Sequence, residues 1–320
     1  MQAKRQLIPM PDGRDVDVLT TGPEDGFPLV IHGGTPAGLV VDSNTAAEAA
    51  QRGLRYVVAA RPGYEGSTPR PGRRVADVAA DVAAVLDALG AGEFVSIGMS
   101  GGGPHTLACA ALLPGRCLAA ASIAGVAPYH ADGLDFLAGM GPENVTEFTL
   151  TLEGADALTP YLEKEAGPLR QVTGEQIAAA LGGLISGADA GVLTGEQVAA
   201  ALGGLISGAD KDVLTGEFAD ELAAGCRAAL REGIAGWRDD DLAFAADWGF
   251  SLDALAGRAA IWQGDQDLMV PFAHGQWLAA HIPGARVHLE AGAGHLTMTV
   301  TAIDRILDDL LDLAGRSRPV

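Results

Sequence analysis

A chain of 320 residues that is 48% hydrophobic can bury a full core, and it is long enough for one large α/β domain or a domain with an insertion. Its formal charge of −20 argues against nucleic acid and anionic membrane surfaces as partners, because both need a basic face. The 3 cysteines (Cys109, Cys117 and Cys226) lack metal-ligand spacing, which argues against a disulfide framework and fits a reducing compartment.

Met1-Gln2-Ala3-Lys4-Arg5 lacks the apolar run of a signal peptide, and the apolar stretch around 108–127 is broken by Pro114 and Arg116. A cytoplasmic protein without a membrane span is expected. Residues 16–20 have strand character and lead through the turn cluster Gly22-Pro23-Glu24-Asp25-Gly26 into 28–31, apolar throughout like a strand covered on both faces. That run ends in His32-Gly33-Gly34-Thr35-Pro36. Residues 42–52 read as a helix stopped by Gly53, 56–60 as the next buried strand, and Arg61-Pro62-Gly63-Tyr64-Glu65-Gly66-Ser67 as a loop. Val75, Val78, Val82, Val85, Leu86 and Leu89 recur at helical spacing, and Gly90 closes that helix. A strand from Phe94, a helix over 104–113 and a strand over 118–124 continue the alternation. It predicts a mostly parallel central sheet with helices on both faces.

Beyond about residue 127 no buried strand is readable until 258–262, and the interval looks helical. A helix over 271–282, a strand over 285–289 and a helix over 296–313 follow. Residues 1–127 and 248–320 thus read as one α/β core, and 128–247 as an inserted all-helical cap. The insertion holds a tandem repeat over 173–214, whose copies differ only at Ile177/Val198, Ala190/Lys211 and Gly191/Asp212. Thr173/Gln176 and Thr194/Gln197 have capping-box spacing, and Ile177, Leu181, Leu184 and Ile185 form one apolar stripe. Two copies fall short of a solenoid. The favoured reading is a neutral duplication of one insertion helix; a part in gating or subunit contact is the alternative.

Gly98-x-Ser100-x-Gly102, between an apolar strand and a small-residue helix start, has the pattern of a nucleophile elbow. Its glycines are required because a Cβ on either would collide across the turn. A serine hydroxyl needs a base to remove its proton, and the base needs a third group to fix its tautomer. In this topology the acid and then the histidine should follow the serine, each just past a strand end. Asp267 and His295 stand there. Asp267 is preferred to Asp265 because it lies three residues after Gly264 and four before Pro271. Gly292 and Gly294 are expected to let the His295 loop pass close to the serine.

The oxyanion of a tetrahedral intermediate needs two backbone donors. One is expected at Gly101; the other is Thr35 or Gly34. Among the remaining histidines, His105 is expected in helix packing and His32 on backbone near the oxyanion loop. His130 is a candidate substrate contact, while His274, His281 and His288 are expected at the surface or in ordinary packing. Trp237 and Trp248 are candidates to line the pocket, with packing as the alternative.

With these motifs in place the chain resembles the α/β-hydrolase family, in its serine-nucleophile branch with a helical cap. It departs from the family pattern at Glu65, where glycine is common and a carboxylate is expected near the site entrance. It departs again at Gly33, where histidine is common and the bracing of the oxyanion loop is expected to change. The resemblance implies acyl transfer: hydrolysis of a small-molecule carboxylic ester or lactone through an acyl-enzyme on Ser100. The serine excludes the aspartate-using epoxide hydrolase and dehalogenase branches. Amide cleavage like that of proline iminopeptidases is the alternative, with Glu143, Glu147 or Glu153 binding an amine. A ligand-binding or biosynthetic homologue that does not hydrolyse is a third. No metal or cofactor is called for, and the oligomeric state is open, a homodimer included.

Overall fold

The computed structural model describes residues 3–173, 175–176, 205–214 and 216–316. Among these, eight strands form one sheet in the order β1-β2-β4-β3-β5-β6-β7-β8. They are β1 (Lys4–Pro9), β2 (Asp15–Thr21), β3 (Phe27–His32), β4 (Leu54–Ala59), β5 (Phe94–Met99), β6 (Cys117–Ile123), β7 (Ala259–Gly264) and β8 (Arg286–Glu290). From β4 to β8 all neighbours run parallel. At the other edge β2 runs antiparallel to both β4 and β1. The strand β1 has no counterpart in the sequence reading because it buries only Ile8. Lys4, Arg5 and Pro9 suit an edge strand that must not pair further.

The helices, in chain order, are α1 (Ser43–Gln51), α2 (Val78–Ala88), α3 (Gly102–Leu112), α4 (Pro142–Glu153), α5 (Ala155–Leu169), α6 (Gly208–Val213), α7 (Gly216–Leu230), α8 (Ala235–Ala245), α9 (Phe272–His281) and α10 (His295–Leu313). Alternation along the strands divides the core. Val95 and Ile97 of β5 pack with Met298, Ala302, Ile306 and Leu310, one i, i+4 stripe of α10. Phe94 faces the opposite side with Val82, Leu86 and Leu107 of α2 and α3. Ile306 and Leu310 are wholly buried, and each such side chain stabilises by about 1.5–3 kcal/mol.

The helices α4 to α8 lie between β6 and β7 in sequence. Leu158, Leu162, Leu230 and Trp237 from them pack on Tyr56, Val58 and Tyr64. Phe136, Phe148 and Phe244 join the cluster that holds Leu107, so the insertion shares its core with the sheet. At the start of the first repeat the Thr173 amide donates to Gln176 Oε1 at 2.8 Å and the Gln176 amide to Thr173 Oγ1 at 3.2 Å, a reciprocal capping box. The second box and the apolar stripe of the repeat lie outside the described residues. Among the described residues no helix is long and apolar enough to cross a membrane.

Candidate active site

The sharp turn between β5 and α3 places Ser100 at φ +54°, a left-handed conformation that non-glycine residues rarely adopt. The Ser100 amide donates to the Ile123 carbonyl at 2.9 Å, and the Gly103 amide to the Ser100 carbonyl at 2.9 Å, holding that turn. A Cβ on Gly98 would sit inside contact distance of the Gly102 carbonyl, and one on Gly102 would strike the His32 carbonyl. Gly98 is therefore fixed by the backbone of the turn itself, whereas Gly102 is fixed not across the turn, as expected, but by the end of the neighbouring strand β3.

Past β7, Asp267 Oδ1 accepts the amides of Met269 and Val270 at 2.9 and 2.8 Å. Its Oδ2 accepts Gln263 Nε2 at 3.0 Å and faces His295 Nδ1 at 2.8 Å. Asp265 instead accepts the Gly292 amide and stays exposed. His295 and Asp267 are both buried. Burial works against a charged imidazole, but the Asp267 carboxylate outweighs it, with Asp210 adding to the effect. The His295 pKa lies above its ordinary value of 6.5. Nδ1 is thereby committed to Asp267, which leaves Nε2 as the atom able to take a proton.

Ser100 and His295 open on one cavity of about 330 Å³ between the ends of β3, β5 and β6 and the inserted helices. No hydrogen bond joins the serine hydroxyl to the imidazole; such contacts commonly close only around substrate. Gly34 lies against Ser100, since a Cβ there would stand 3.4 Å from Ser100 Cβ. The Thr35 side chain occupies the space beside Gly101. The carbonyls of Gly33 and Gly34 are taken by Arg61 at 2.8 and 2.6 Å. Arg61 in turn pairs with Asp240 of α8 at 2.6 Å.

Asp240 is wholly buried. It also accepts Thr35 Oγ1 at 3.0 Å and Tyr64 Oη at 2.9 Å, and pairs with Arg73 at 2.7 Å. Burial alone would raise its pKa; Arg61 and Arg73 hold it below the usual carboxylate range. This network braces the loop at Gly33 and Gly34. Sequence reasoning missed it because Asp239-Asp240-Asp241 reads as a solvated run, whereas all three are buried.

Several expected contacts fall elsewhere. His130 is exposed, packs on Tyr129 and does not line the cavity. Trp248 is buried in the main core, stacked on Phe250 and away from the cavity. Trp237 does line it, donating Nε1 to Glu147 Oε1 at 2.8 Å. Glu143 and Glu147 line the cavity, whereas Glu153 is exposed and does not. Glu65 does not line the cavity. It is buried at φ +48°, which explains the usual glycine, and it accepts the Leu39 amide at 2.6 Å while pairing with Arg5 and Arg231.

His32 contacts Cys109 Sγ at 3.6 Å rather than backbone, and burial pushes its pKa down to about 3. His105 is buried in helix packing between His32 and Phe244. His274 accepts the Ala127 amide on Nδ1, so its Nε2 donates to the Phe136 carbonyl. Gly294 makes room for Asp210 and Ser207 rather than for Ser100. Asp42, Glu143, Glu147, Glu165 and Glu221 line the cavity, and no Lys or Arg does among the described residues. No cluster of three or more His, Cys, Asp or Glu there is arranged to hold a metal ion.

A mostly parallel sheet that carries a serine on a left-handed turn and a histidine paired with a carboxylate, both opening on one cavity, is an α/β architecture with a candidate site at the strand ends. The chain has the α/β-hydrolase fold: the family described by that name matches residues 28–183. A non-heme chloroperoxidase from Streptomyces lividans is 31% identical over 159 residues, 49% of this chain and 57% of that protein. The chain thus spans little more than half the length of that curated relative. An alpha/beta hydrolase fold protein from Nakamurella multipartita is 26% identical, with a TM-score of 0.62 over 98% of this chain and 100% of that one. A thermophilic esterase from Thermogutta terrifontis superposes with a TM-score of 0.63 at 16% identity, covering 97% of this chain and 99% of that one.

Proposed function

We propose that the chain is a serine hydrolase that cleaves a carboxylic ester or lactone of a small molecule through an acyl-enzyme. Ser100 Oγ attacks the carbonyl carbon as His295 Nε2 takes the hydroxyl proton. The amide of Gly101 and one from Gly34 or Thr35 stabilise the oxyanion. Collapse of the tetrahedral intermediate breaks the acyl–oxygen bond, and the imidazolium returns the proton to the departing alkoxide. Water, deprotonated by His295, then attacks the acyl carbon, the bond to Ser100 Oγ breaks, and the imidazolium returns its proton to that oxygen as the acid leaves. Asp267 orients the imidazole and stabilises its charged form without taking the proton.

The observation that carries this reading is the 2.8 Å contact of His295 Nδ1 with Asp267, facing the same cavity as a serine held at positive φ. Turnover of p-nitrophenyl acetate or butyrate tests it, with the Ser100→Ala variant as control. The reading fails if that variant is as active as the parent. The carboxylates lining the cavity favour a second reading, amide cleavage of a substrate bearing a free amine. Preference for proline p-nitroanilide over the esters, with KM raised by Glu147→Gln, would select it.

A further inference from the structure

The carboxylate of Asp210 is wholly buried against the first turn of α10, the helix that begins with His295. Its Oδ2 accepts the His295 amide at 3.0 Å; its Oδ1 accepts the amides of Leu296 and Thr297 at 2.8 and 2.9 Å and the Thr297 hydroxyl at 3.0 Å. The first amides of a helix have no partner within it, and a negative charge is favoured there. A residue at the N-cap usually supplies one, but that position is Gly294, which has no side chain. The acid comes instead from 85 residues earlier in the chain. A Cβ on Gly294 would sit inside contact distance of both carboxylate oxygens, so the glycine is what admits Asp210. Ser207 Oγ donates to Asp210 Oδ2 at 2.9 Å, completing the shell. Ser207 and Asp210 belong to the second repeat copy and match Ser186 and Asp189 of the first.

We propose that Asp210 is a positioning residue for the His295 imidazole, so that docking of the second repeat copy on α10 is what fixes the base in place. This rests on His295 being the base. It gives the inserted segment a part in the chemistry that neither a neutral duplication nor a roof over the pocket would have. The charged groups that face His295 are Asp267, from the turn after β7, and Asp210, from α6. The Asp210 charge also favours the imidazolium.

The experiment combines kcat and KM for a p-nitrophenyl ester with an NMR titration of the histidine rings, the His295 signal assigned by its loss in His295→Gln. In Asp210→Asn, kcat is expected to fall about tenfold or more while KM stays within about threefold. The His295 midpoint is expected to move to lower pH. Asp189→Asn, the same change in the other copy, is expected to alter neither quantity. Should Asp210→Asn fail to fold, Ser207→Ala keeps the charge and loosens its seat. It is expected to lower kcat by a smaller factor with the midpoint retained.

An unchanged midpoint and kcat in Asp210→Asn, an unchanged kcat in Ser207→Ala, or equal effects of Asp189→Asn, would overturn the proposal. The titration needs no turnover. A parent enzyme without Ser100-dependent activity would defeat the hydrolase reading, while the midpoint would still decide whether Asp210 acts on His295.

Discussion

Arg61 and Asp240, 179 residues apart in sequence, meet in the protein interior at 2.6 Å and tie the helix α8 to the loop after β3. The guanidinium that holds the carboxylate also holds the carbonyls of Gly33 and Gly34. A fork of five donors suits this arrangement, and a lysine could not reproduce it. The loop beside Ser100 is thus fixed by a charge from the inserted helices.

Asp240→Asn should therefore cost stability as well as rate. Breaking a buried ion pair from one side leaves a charge unpaired, a loss of about 3–5 kcal/mol. Urea unfolding measures it. Arg61→Lys should fold better than Asp240→Asn, yet lose ester turnover because two carbonyls of the loop lose their shared donor. A parent-like kcat in Arg61→Lys would show that the loop keeps its position without that fork.

The pH dependence follows from His295. As the proposed base, His295 acts only when neutral, and its pKa is raised, so kcat/KM should climb with pH through a midpoint above 6.5. The histidine contribution to stability has the opposite trend. It is present in full below the unfolded-state pKa and is lost as pH rises through the folded one. Asp267→Asn should lower the midpoint and the rate together. A pH–rate profile of the two proteins gives both.

Asp241 and Glu147 make a separate acid pair under the cavity wall. Burial raises both pKa values, and for Asp241 the neighbouring Glu147 carboxylate adds to the rise, taking it well above the ordinary range. A carboxyl whose pKa is raised on folding favours the fold at low pH and loses that advantage as pH rises through the folded value. Asp241→Asn keeps a donor for Glu147 and removes the titration. Its Tm relative to the parent should therefore be higher at pH 8 than at pH 5, which thermal melts at the two pH values check.

The elbow glycines should tolerate no side chain. Gly98→Ala and Gly102→Ala each drive a Cβ into a backbone carbonyl, and a loss of about 3 kcal/mol or more is expected from such unrelieved overlap. Chemical denaturation, or the failure to obtain folded protein, is the readout. Gly72→Ala, where nothing lies within 4 Å, serves as comparison, although its φ of +74° still carries some strain.

What the sequence could reveal was set by how local each requirement is. The turn at Ser100 announces itself because Gly98 is demanded by the Gly102 carbonyl four residues on, although Gly102 answers to the His32 carbonyl of a neighbouring strand. Asp267 and His295 are found because topology puts loops after β7 and β8 at one sheet edge. Arg61–Asp240 and Asp210–His295 have no such signature, since each joins distant segments through burial that composition does not encode. His130 and Trp248 fail for a related reason: a side chain's distance from a cavity depends on how α4 to α8 pack. The edge strand β1 hides behind its own charges.

Acylation at Ser100 is the most direct test of the serine mechanism. The protein is mixed with excess p-nitrophenyl butyrate, quenched with acid and digested, and the peptide carrying Ser100 is weighed by mass spectrometry. A butyryl group is expected on that serine and not in Ser100→Ala, together with a fall of about 10⁴-fold in turnover by that variant. Sustained turnover by Ser100→Ala, or an acyl group found on a different side chain, would contradict that mechanism.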